Sequence, residues 1–486
     1  WIGVICSKKN SDVGDFYLGG RKLGPVVTAM SAEASDMSSY LLMGVPGLAY
    51  LTGLADATWT AIGLALGTYL NWLIVAKRLR TYSDVCSAIT IPDFFANRYR
   101  DPKMLKCVSA IIIIIFFVPY TASGFAACGK LFNSLFGVDY LTAMIISAIV
   151  IVAYTTLGGF LAASTSDFIQ SIIMSIALVI VLSYGIISVG GFDGVVAHVG
   201  DLKGFLSITS THDGATNTAT PYSVLSIAST LAWGLGYFGM PHILLRFMAI
   251  EDTKKLKLSR RVASVWVVIS MSVAVSIGII GYAMSAEGVI PNLKDSETII
   301  VQIAHVLSTH GIIFAIIAGV ILAGILASTM STSDSQLLAA SSSVSENLLE
   351  GVLNLNLSAG VKIVVARGSV IIISIIAMFL ASNPNSSVFQ IVSFAWAGFG
   401  ATFGPVMLFA LFWKRSNKYG AISGMVAGGI MIFVWKFLVR PMGGVLGIYE
   451  LLPAFIVASI FIVVVSLLTP APEKEIVDEF ESIKNY

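Results

Sequence analysis

A run of small, polar and acidic residues interrupts an otherwise apolar stretch between about residues 26 and 50. This run, Ser31–Ser39, contains the carboxylates Glu33 and Asp36 and four serines. An ionisable side chain at bilayer depth costs at least about 2.5–3.5 kcal/mol, so it marks a functional site by default. Such residues also let a helix unwind around a cavity, where the freed carbonyl groups bind cations such as sodium. The run therefore predicts a broken helix at an ion site.

A second polar run, Ser328–Ser335, lies inside another long apolar stretch, and seven of its eight residues carry a hydroxyl or a carboxylate. Those that share one helix face, at i, i+3, i+4 and i+7, are Ser328, Ser331, Thr332 and Ser335. The hydroxyls either bond to their own helix and hold helices together, or supply oxygen ligands for sodium. Asp334 favours sodium ligation, because a carboxylate has no reason to sit in a merely packed stripe.

Two other acidic positions leave alternatives open. Asp167 opens a later apolar stretch, where it is either a helix cap or a functional carboxylate. Glu33 and Asp36 are three residues apart and form a cation site, a proton relay, or partners of a buried arginine. The arginine alternative is the weakest, because the sequence places no basic residue at a predicted helix centre.

The composition is that of a polytopic membrane protein. The chain has 486 residues, 56% hydrophobic and 12% charged, with a mean hydropathy of +0.88. The net charge of +2 gives no sign of nucleic-acid binding. The four cysteines form no CxxC pair, and the five histidines lack metal-site spacing. No nucleophile–base or metal constellation indicates an enzyme, and polarity confined to mid-helix patches argues against a channel.

Hydropathy predicts an all-α protein with about 13 membrane-spanning helices. The first is a truncated helix ending near Cys6. The other predicted spans are 26–50, 57–76, 104–128, 138–159, 165–189, 221–247, 262–284, 311–340, 361–382, 386–413, 420–438 and 449–469. Placing the loop after the first helix in the cytoplasm puts 24 of the 29 basic residues, Arg246 among them, on that side.

The second and seventh spans are both interrupted, the seventh at Trp233–Pro241. The two interrupted spans are five spans apart in the sequence. Because five is odd, the five spans that begin with the seventh run with inverted topology relative to the five that begin with the second. Interrupted spans at corresponding positions of inverted repeats indicate a transporter's substrate site. The predicted units are residues 1–25 (helix end and cytoplasmic loop), 26–190 (first repeat), 191–220 (extracellular loop), 221–413 (second repeat), 414–470 (two peripheral helices) and 471–486 (cytoplasmic tail).

Several motifs make the chain similar to the sodium:solute symporter family, and most of all to its bacterial sodium/proline symporters. The similarity covers nearly the whole chain in order. The motifs are Leu18-Gly19-Gly20-Arg21-Lys22-Leu23-Gly24-Pro25, Ser31-Ala32-Glu33-Ala34-Ser35-Asp36-Met37-Ser38, Leu42-Met43-Gly44-Val45-Pro46-Gly47, Thr156-Leu157-Gly158-Gly159-Phe160-Leu161-Ala162, Trp233-Gly234-Leu235-Gly236-Tyr237-Phe238-Gly239, Pro241-His242-Ile243 and Arg246-Phe247-Met248-Ala249-Ile250.

The resemblance implies a leucine-transporter-type core of two inverted five-helix repeats and a sodium ion between the second and ninth helices. The implied sodium ligands are the carbonyls of Ala34 and Met37 with Ser328, Ser331 and Thr332; at Ser328 the family usually supplies a carbonyl. Some relatives hold a second sodium at positions matching Asp167, Ser331, Asp334 and Ser335. The implied solute residues are Ser38, Ser39, Tyr120, Trp233, Tyr237 and Pro241. Asp36 matches a carboxylate tied to sodium use, and Arg21 a gating arginine.

The implied activity is symport of sodium with a small zwitterionic solute, with L-proline expected, across the inner membrane of a prokaryotic cell. Two positions depart from the proline symporters, which have Gly at Glu33 and Gln at Met240. Glu33 joins the coupling residues or faces another helix, and Met240 removes an amide beside the implied pocket. The alternative is a sodium symporter of pantothenate, a monocarboxylate, a sugar or sialic acid.

Overall fold

A computed structural model describes residues 2–7, 12–355, 357–384 and 387–483. The α-helices of the first half are α1 (Ile2–Ser7), α2 (Val13–Leu18), α3 (Pro25–Ser39), α4 (Val45–Thr52), α5 (Leu54–Leu70), α6 (Ala76–Val85), α7 (Ile91–Tyr99), α8 (Met104–Phe136), α9 (Tyr140–Ser188) and α10 (Phe192–Val199). The α-helices of the second half are α11 (Val224–Leu231), α12 (Pro241–Ala249), α13 (Leu256–Glu287), α14 (Ile299–Ser308), α15 (Ile312–Ser342), α16 (Ala359–Leu380), α17 (Val388–Thr402), α18 (Gly404–Phe412), α19 (Lys418–Val434), α20 (Leu451–Leu468) and α21 (Lys474–Ser482).

Nine helical segments within the described ranges are long and apolar enough to cross a bilayer. One of them, α9, has 49 residues and is bent at Gly159, whose φ of 61° favours glycine. At about 1.5 Å per residue, this helix has the length of two crossings, and it covers two predicted spans. The interrupted regions 25–52 and 224–249 are not among the nine. The helical membrane architecture is thus confirmed, whereas the number thirteen stays a prediction.

The predicted loop 191–220 contains regular structure that hydropathy does not reveal. It forms the short helix α10 and a hairpin of strands β1 (Ser210–Asp213) and β2 (Thr218–Pro221). The strands are antiparallel and pair Ser210 with Pro221 and Asp213 with Thr218. Threonine suits a strand, and a polar turn joins the two.

Helix α15 lies near the centre of the fold, where it packs against α9, α8 and α3. Helix α3 also contacts α13 and α12. Residues 28–39 of α3 and 331–342 of α15 are buried throughout, including their polar side chains. This packing brings the two polar runs of the sequence together.

Candidate functional site

The break in the second predicted span lies at a single residue of α3. Ser38 has φ 50° and ψ −168°, a conformation that costs a non-glycine residue about 1–3 kcal/mol. The chain is helical before it and continues as a wide π-type turn at Tyr40–Gly44. The predicted interruption is therefore present, although it is narrower than the run 31–39. Strained residues and π-turns of this kind are frequent at functional sites.

One predicted sodium ligand of α15 reaches across to α3. The Ser331 hydroxyl donates a hydrogen bond to the carbonyl oxygen of Ala34 at 2.8 Å. Thr332 Oγ1 instead donates to the Ser328 carbonyl at 3.2 Å, and the Ser328 hydroxyl donates to its own helix. The Met37 carbonyl accepts a backbone N–H just beyond the break. The implied ligands thus lie on two packed helices, and one hydrogen bond, from Ser331 to Ala34, joins ligands of the two helices.

Asp36 is held by the second interrupted region. The Tyr237 hydroxyl donates to Asp36 Oδ2, and both side chains are buried. Tyr237 lies in the 3₁₀ turn Ala232–Phe238, which separates α11 from α12 as the sequence predicts. This turn packs closely on α5, where a Cβ at Gly234 would lie 2.3 Å from the Gly63 carbonyl oxygen. The two interruptions therefore meet through a carboxylate and a phenol.

Glu33 faces away from the Ser331 contact. Its Oε1 accepts a hydrogen bond from the Trp72 indole N–H at 3.2 Å, and its side chain is buried. Trp72 lies in a second π-type turn, Asn71–Val75, that follows α5. The sequence alternative in which Glu33 faces another helix describes this contact.

Asp167 pairs with a buried arginine that the sequence analysis places in the cytoplasm. Arg246 Nη2 lies 3.0 Å from Asp167 Oδ2, and the two side chains are 1% and 0% exposed. Arg246 is buried because α12 restarts at Pro241 and carries it into the packed interior, whereas its membrane side stays a prediction. The helix-cap interpretation of Asp167 is wrong, since α9 resumes directly after Gly159.

The guanidinium of Arg246 lies among residues implied for a second sodium. It donates to the Ser335 hydroxyl at 2.5 Å and to the Ser31 hydroxyl at 3.0 Å, in addition to Asp167. Asp334 accepts hydrogen bonds from the Tyr154 hydroxyl at 2.8 Å and from Ser335 at 3.0 Å. The guanidinium of Arg246 therefore already neutralises Asp167, one of the two carboxylates in this group.

The implied solute residues border a buried aromatic cluster. The Trp233 ring lies 5.3 Å from Tyr40 and 5.9 Å from Phe389, and Tyr237 packs edge-on against Trp396 at 5.0 Å. The Trp396 indole N–H donates to the Trp233 carbonyl at 2.7 Å. The other implied solute residues are all buried, and they are Ser38, Ser39, Tyr120, Met240 and Pro241.

Arg21, the implied gating arginine, joins the segment before α3 to α6, to the loop after α6 and to α12. Its guanidinium donates to Ser83, to the Ala88 carbonyl at 2.7 Å and to the Met248 carbonyl at 2.8 Å. Leu23 pairs with the chain just beyond α12 through two backbone hydrogen bonds. These bonds join the start of α3 to the end of α12, the ends of the two interrupted regions.

Sequence reasoning missed Tyr40, Trp396 and the interior position of Arg246. Tyr40 directly follows the polar run, and Arg246 lies five residues beyond the proline that restarts its helix. These positions, next to the polar run and soon after the helix-restarting proline, were the sequence signals that could have identified Tyr40 and Arg246. Trp396 lies in an apolar stretch, where one more aromatic residue carries no distinguishing signal.

The profile of the sodium:solute symporter family matches residues 16–428. The high-affinity proline transporter PutP of Bacillus subtilis is 43% identical over 486 residues, which cover 100% of this chain and 98% of that protein. The sodium/proline symporter of Haemophilus influenzae is 41% identical, with 99% of this chain and 94% of that protein covered.

Two solved structures share the fold. A Na⁺-coupled sialic acid symporter in a substrate-bound outward-open state matches with a TM-score of 0.78 and 16% identity, over 97% of this chain and 96% of that one. A nucleobase-cation-symport-1 family transporter in a closed conformation matches with a TM-score of 0.56 and 13% identity, over 96% and 98%. The architecture is the leucine-transporter type that the motifs imply. This chain belongs to the sodium:solute symporter family.

Proposed function

We propose that this protein couples the entry of sodium to the uptake of L-proline by alternating access. Family membership supports sodium coupling, and the names of relatives that are 41–43% identical over nearly their whole length support proline. Those relatives are bacterial, which supports a place in the inner membrane of a prokaryotic cell. The observation that carries the proposal is the contact between Ser331 and Ala34, because it joins α15 to α3 just before the break.

Sodium is the transported cation in this mechanism. Its proposed ligands are the carbonyls of Ala34 and Met37 with oxygens of Ser328, Ser331 and Thr332, since hard cations exchange their hydration shell for such oxygens. The Ser331 hydroxyl and the Ala34 carbonyl oxygen lie 2.8 Å apart, so one ion can contact both oxygens. On sodium binding, both oxygens turn their lone pairs to the ion. Sodium then replaces the hydrogen bond between Ser331 and Ala34, and it changes the contact between α3 and α15.

The solute is proposed to bind beside the aromatic cluster. Trp233 and Tyr237 supply flat surfaces for an apolar ring, and Ser38 and Ser39 lie at the break, where backbone groups can meet a carboxylate. Asp36 links this region to the ion site, because the Tyr237 hydroxyl bonds to it directly. Movement of the solute against Tyr237 is thereby transmitted to Asp36 of α3, two residues from the proposed ligand carbonyl of Ala34.

We propose that one sodium ion accompanies each solute. Arg246 occupies the space between Asp167 and Ser335 with a permanent charge, so this group does not need a second cation to balance Asp167. The stoichiometry of sodium to solute tests the second set of implied sodium ligands, which are Asp167, Ser331, Asp334 and Ser335. A ratio of one sodium to one solute supports the proposal, and a ratio of two supports the second site.

Binding of a solute panel to the purified protein tests the choice of solute. The panel contains proline, pantothenate, pyruvate, glucose and sialic acid, each measured with and without sodium by thermal stabilisation. We expect sodium-dependent stabilisation by proline, since bound ligand stabilises the folded state by mass action. Stabilisation by another member alone would reassign the solute, and the departures at Glu33 and Met240 would then be the positions to exchange.

A further inference from the structure

The loop between α19 and α20, residues 440–450, folds back into the protein although it joins two helices outside the ten-helix core. Its last residue, Glu450, is 0% exposed and forms ion pairs with Arg440 at 2.7 Å and Lys436 at 3.6 Å. A buried carboxylate is tolerated only when it is paired in this way. The charged cluster therefore fixes where the end of the loop enters the protein.

Tyr449, the residue before this carboxylate, touches three elements of the core. Its backbone N–H donates to the Ser229 hydroxyl of α11 at 2.7 Å. Its hydroxyl donates to the Ser393 carbonyl of α17 at 2.6 Å. Its ring stacks on Trp233 at 5.0 Å with an interplanar angle of 15°. The residue is thus fixed by one backbone hydrogen bond, one hydrogen bond from its hydroxyl and one aromatic stack.

Tyr449 lines an outer cavity beside two residues of the aromatic cluster, Trp233 and Phe389. The cavity has a volume of about 610 Å³ and is lined by Tyr449, Trp233, Phe389, Asp56 and Arg440, among others. Trp233 also stacks on Tyr40, which follows the break in α3. Tyr449, Trp233 and Tyr40 therefore form a stack that leads from the cavity to the proposed solute site.

We propose that Tyr449 is a positioning residue that holds Trp233 over the bound solute and leaves it when the outer side opens. The proposal rests on the proposed function, because it takes Trp233 to contact the solute. Aromatic stacks of this kind stabilise a contact beyond the area they bury, which is enough to bias an opening equilibrium. A loop of the peripheral helices would then set how long the solute is retained, without contact between Tyr449 and the sodium ligands.

The first test is the dissociation rate of labelled proline from the purified full-length protein in sodium. We expect Tyr449→Ala to release proline about fivefold faster or more, with an unchanged sodium concentration for half-maximal binding. Tyr449→Phe keeps the ring and should restore most of the retention. Tyr419→Ala removes an exposed tyrosine of α19 and is the matched control. A wild-type dissociation rate in Tyr449→Ala would overturn the proposal.

The second test needs no solute, so it separates failure of this inference from failure of the proposed function. The variant Ser39→Cys, in a background with the four native cysteines changed to serine, is labelled from outside with an impermeant maleimide. Ser39 is 1% exposed and precedes Tyr40, below the stack. We expect slow labelling with Tyr449 and at least fivefold faster labelling in Tyr449→Ala. Equal rates would contradict the inference even if proline binds, and absence of proline binding alone would contradict only the proposed function.

Discussion

The Ser331 hydroxyl donates a hydrogen bond to the Ala34 carbonyl across 2.8 Å, and this bond connects the polar face of α15 to α3. The two residues are 297 positions apart in the sequence. Both oxygen atoms are hard ligands for a cation, and both are buried. An ion that loses one of these ligands cannot easily replace it with water. The neighbouring hydroxyl of Thr329 donates to the Ile325 carbonyl of its own helix instead.

The first prediction concerns these two hydroxyls. Ser331→Ala should abolish sodium-stimulated uptake, whereas Thr329→Ala should keep it, because only Ser331 reaches the proposed ion site. The measurement is initial uptake rate against sodium concentration, with expression checked. If the stripe only holds helices together, each hydroxyl contributes about 0.6–2 kcal/mol and both variants show the same modest defect.

The second prediction concerns the bond between Tyr237 and Asp36. Asp36→Asn should sharply raise the sodium concentration for half-maximal uptake, because it removes a negative charge beside the ion. Tyr237→Phe should produce part of that shift, since the phenol orients the carboxylate. Tyr419→Phe is the matched control on the surface. An unchanged sodium dependence in Asp36→Asn would remove this carboxylate from the coupling mechanism.

The third prediction concerns Trp233. Trp233→Ala should raise the KM for solute about tenfold or more, which corresponds to about 1.4 kcal/mol. The indole forms the wall between the outer cavity and the proposed solute site, so its loss admits water. Trp266→Ala is the control, because Trp266 lies in an apolar groove between α9 and α13 and bonds to Ser175. A KM that rises equally in both variants would point to a general packing defect.

The fourth prediction concerns the buried pair of Arg246 and Asp167. Arg246→Gln should lower stability by about 3–5 kcal/mol, because it leaves a carboxylate buried without its partner. The double variant Arg246→Gln, Asp167→Asn should be more stable than Arg246→Gln alone, since it removes both charges. Thermal unfolding in detergent compares four proteins: the wild type, Arg246→Gln, Asp167→Asn and the double variant. A double variant that is less stable by the sum of the single losses would show that the two charges do not interact.

Sequence patterns predicted the features that depend on composition along one helix. The polar runs at 31–39 and 328–335, and the interruption after Trp233, are visible because polar, glycine and proline residues are costly in a membrane helix. Contacts between distant segments were not predictable in this way. The pairing of Arg246 with Asp167 depends on how α12 restarts after Pro241 and on how it packs against α9. The stack of Tyr449 on Trp233 depends on a loop whose sequence contains no motif.

Sodium-driven uptake of labelled proline into proteoliposomes tests the central claim most directly. An inward sodium gradient is imposed across vesicles that contain the purified protein, and the same vesicles without a gradient serve as the control. The account predicts accumulation of proline above the external concentration, which collapses when an ionophore dissipates the sodium gradient and is lost in Ser331→Ala. Proline accumulation that is equal with and without the sodium gradient would contradict it.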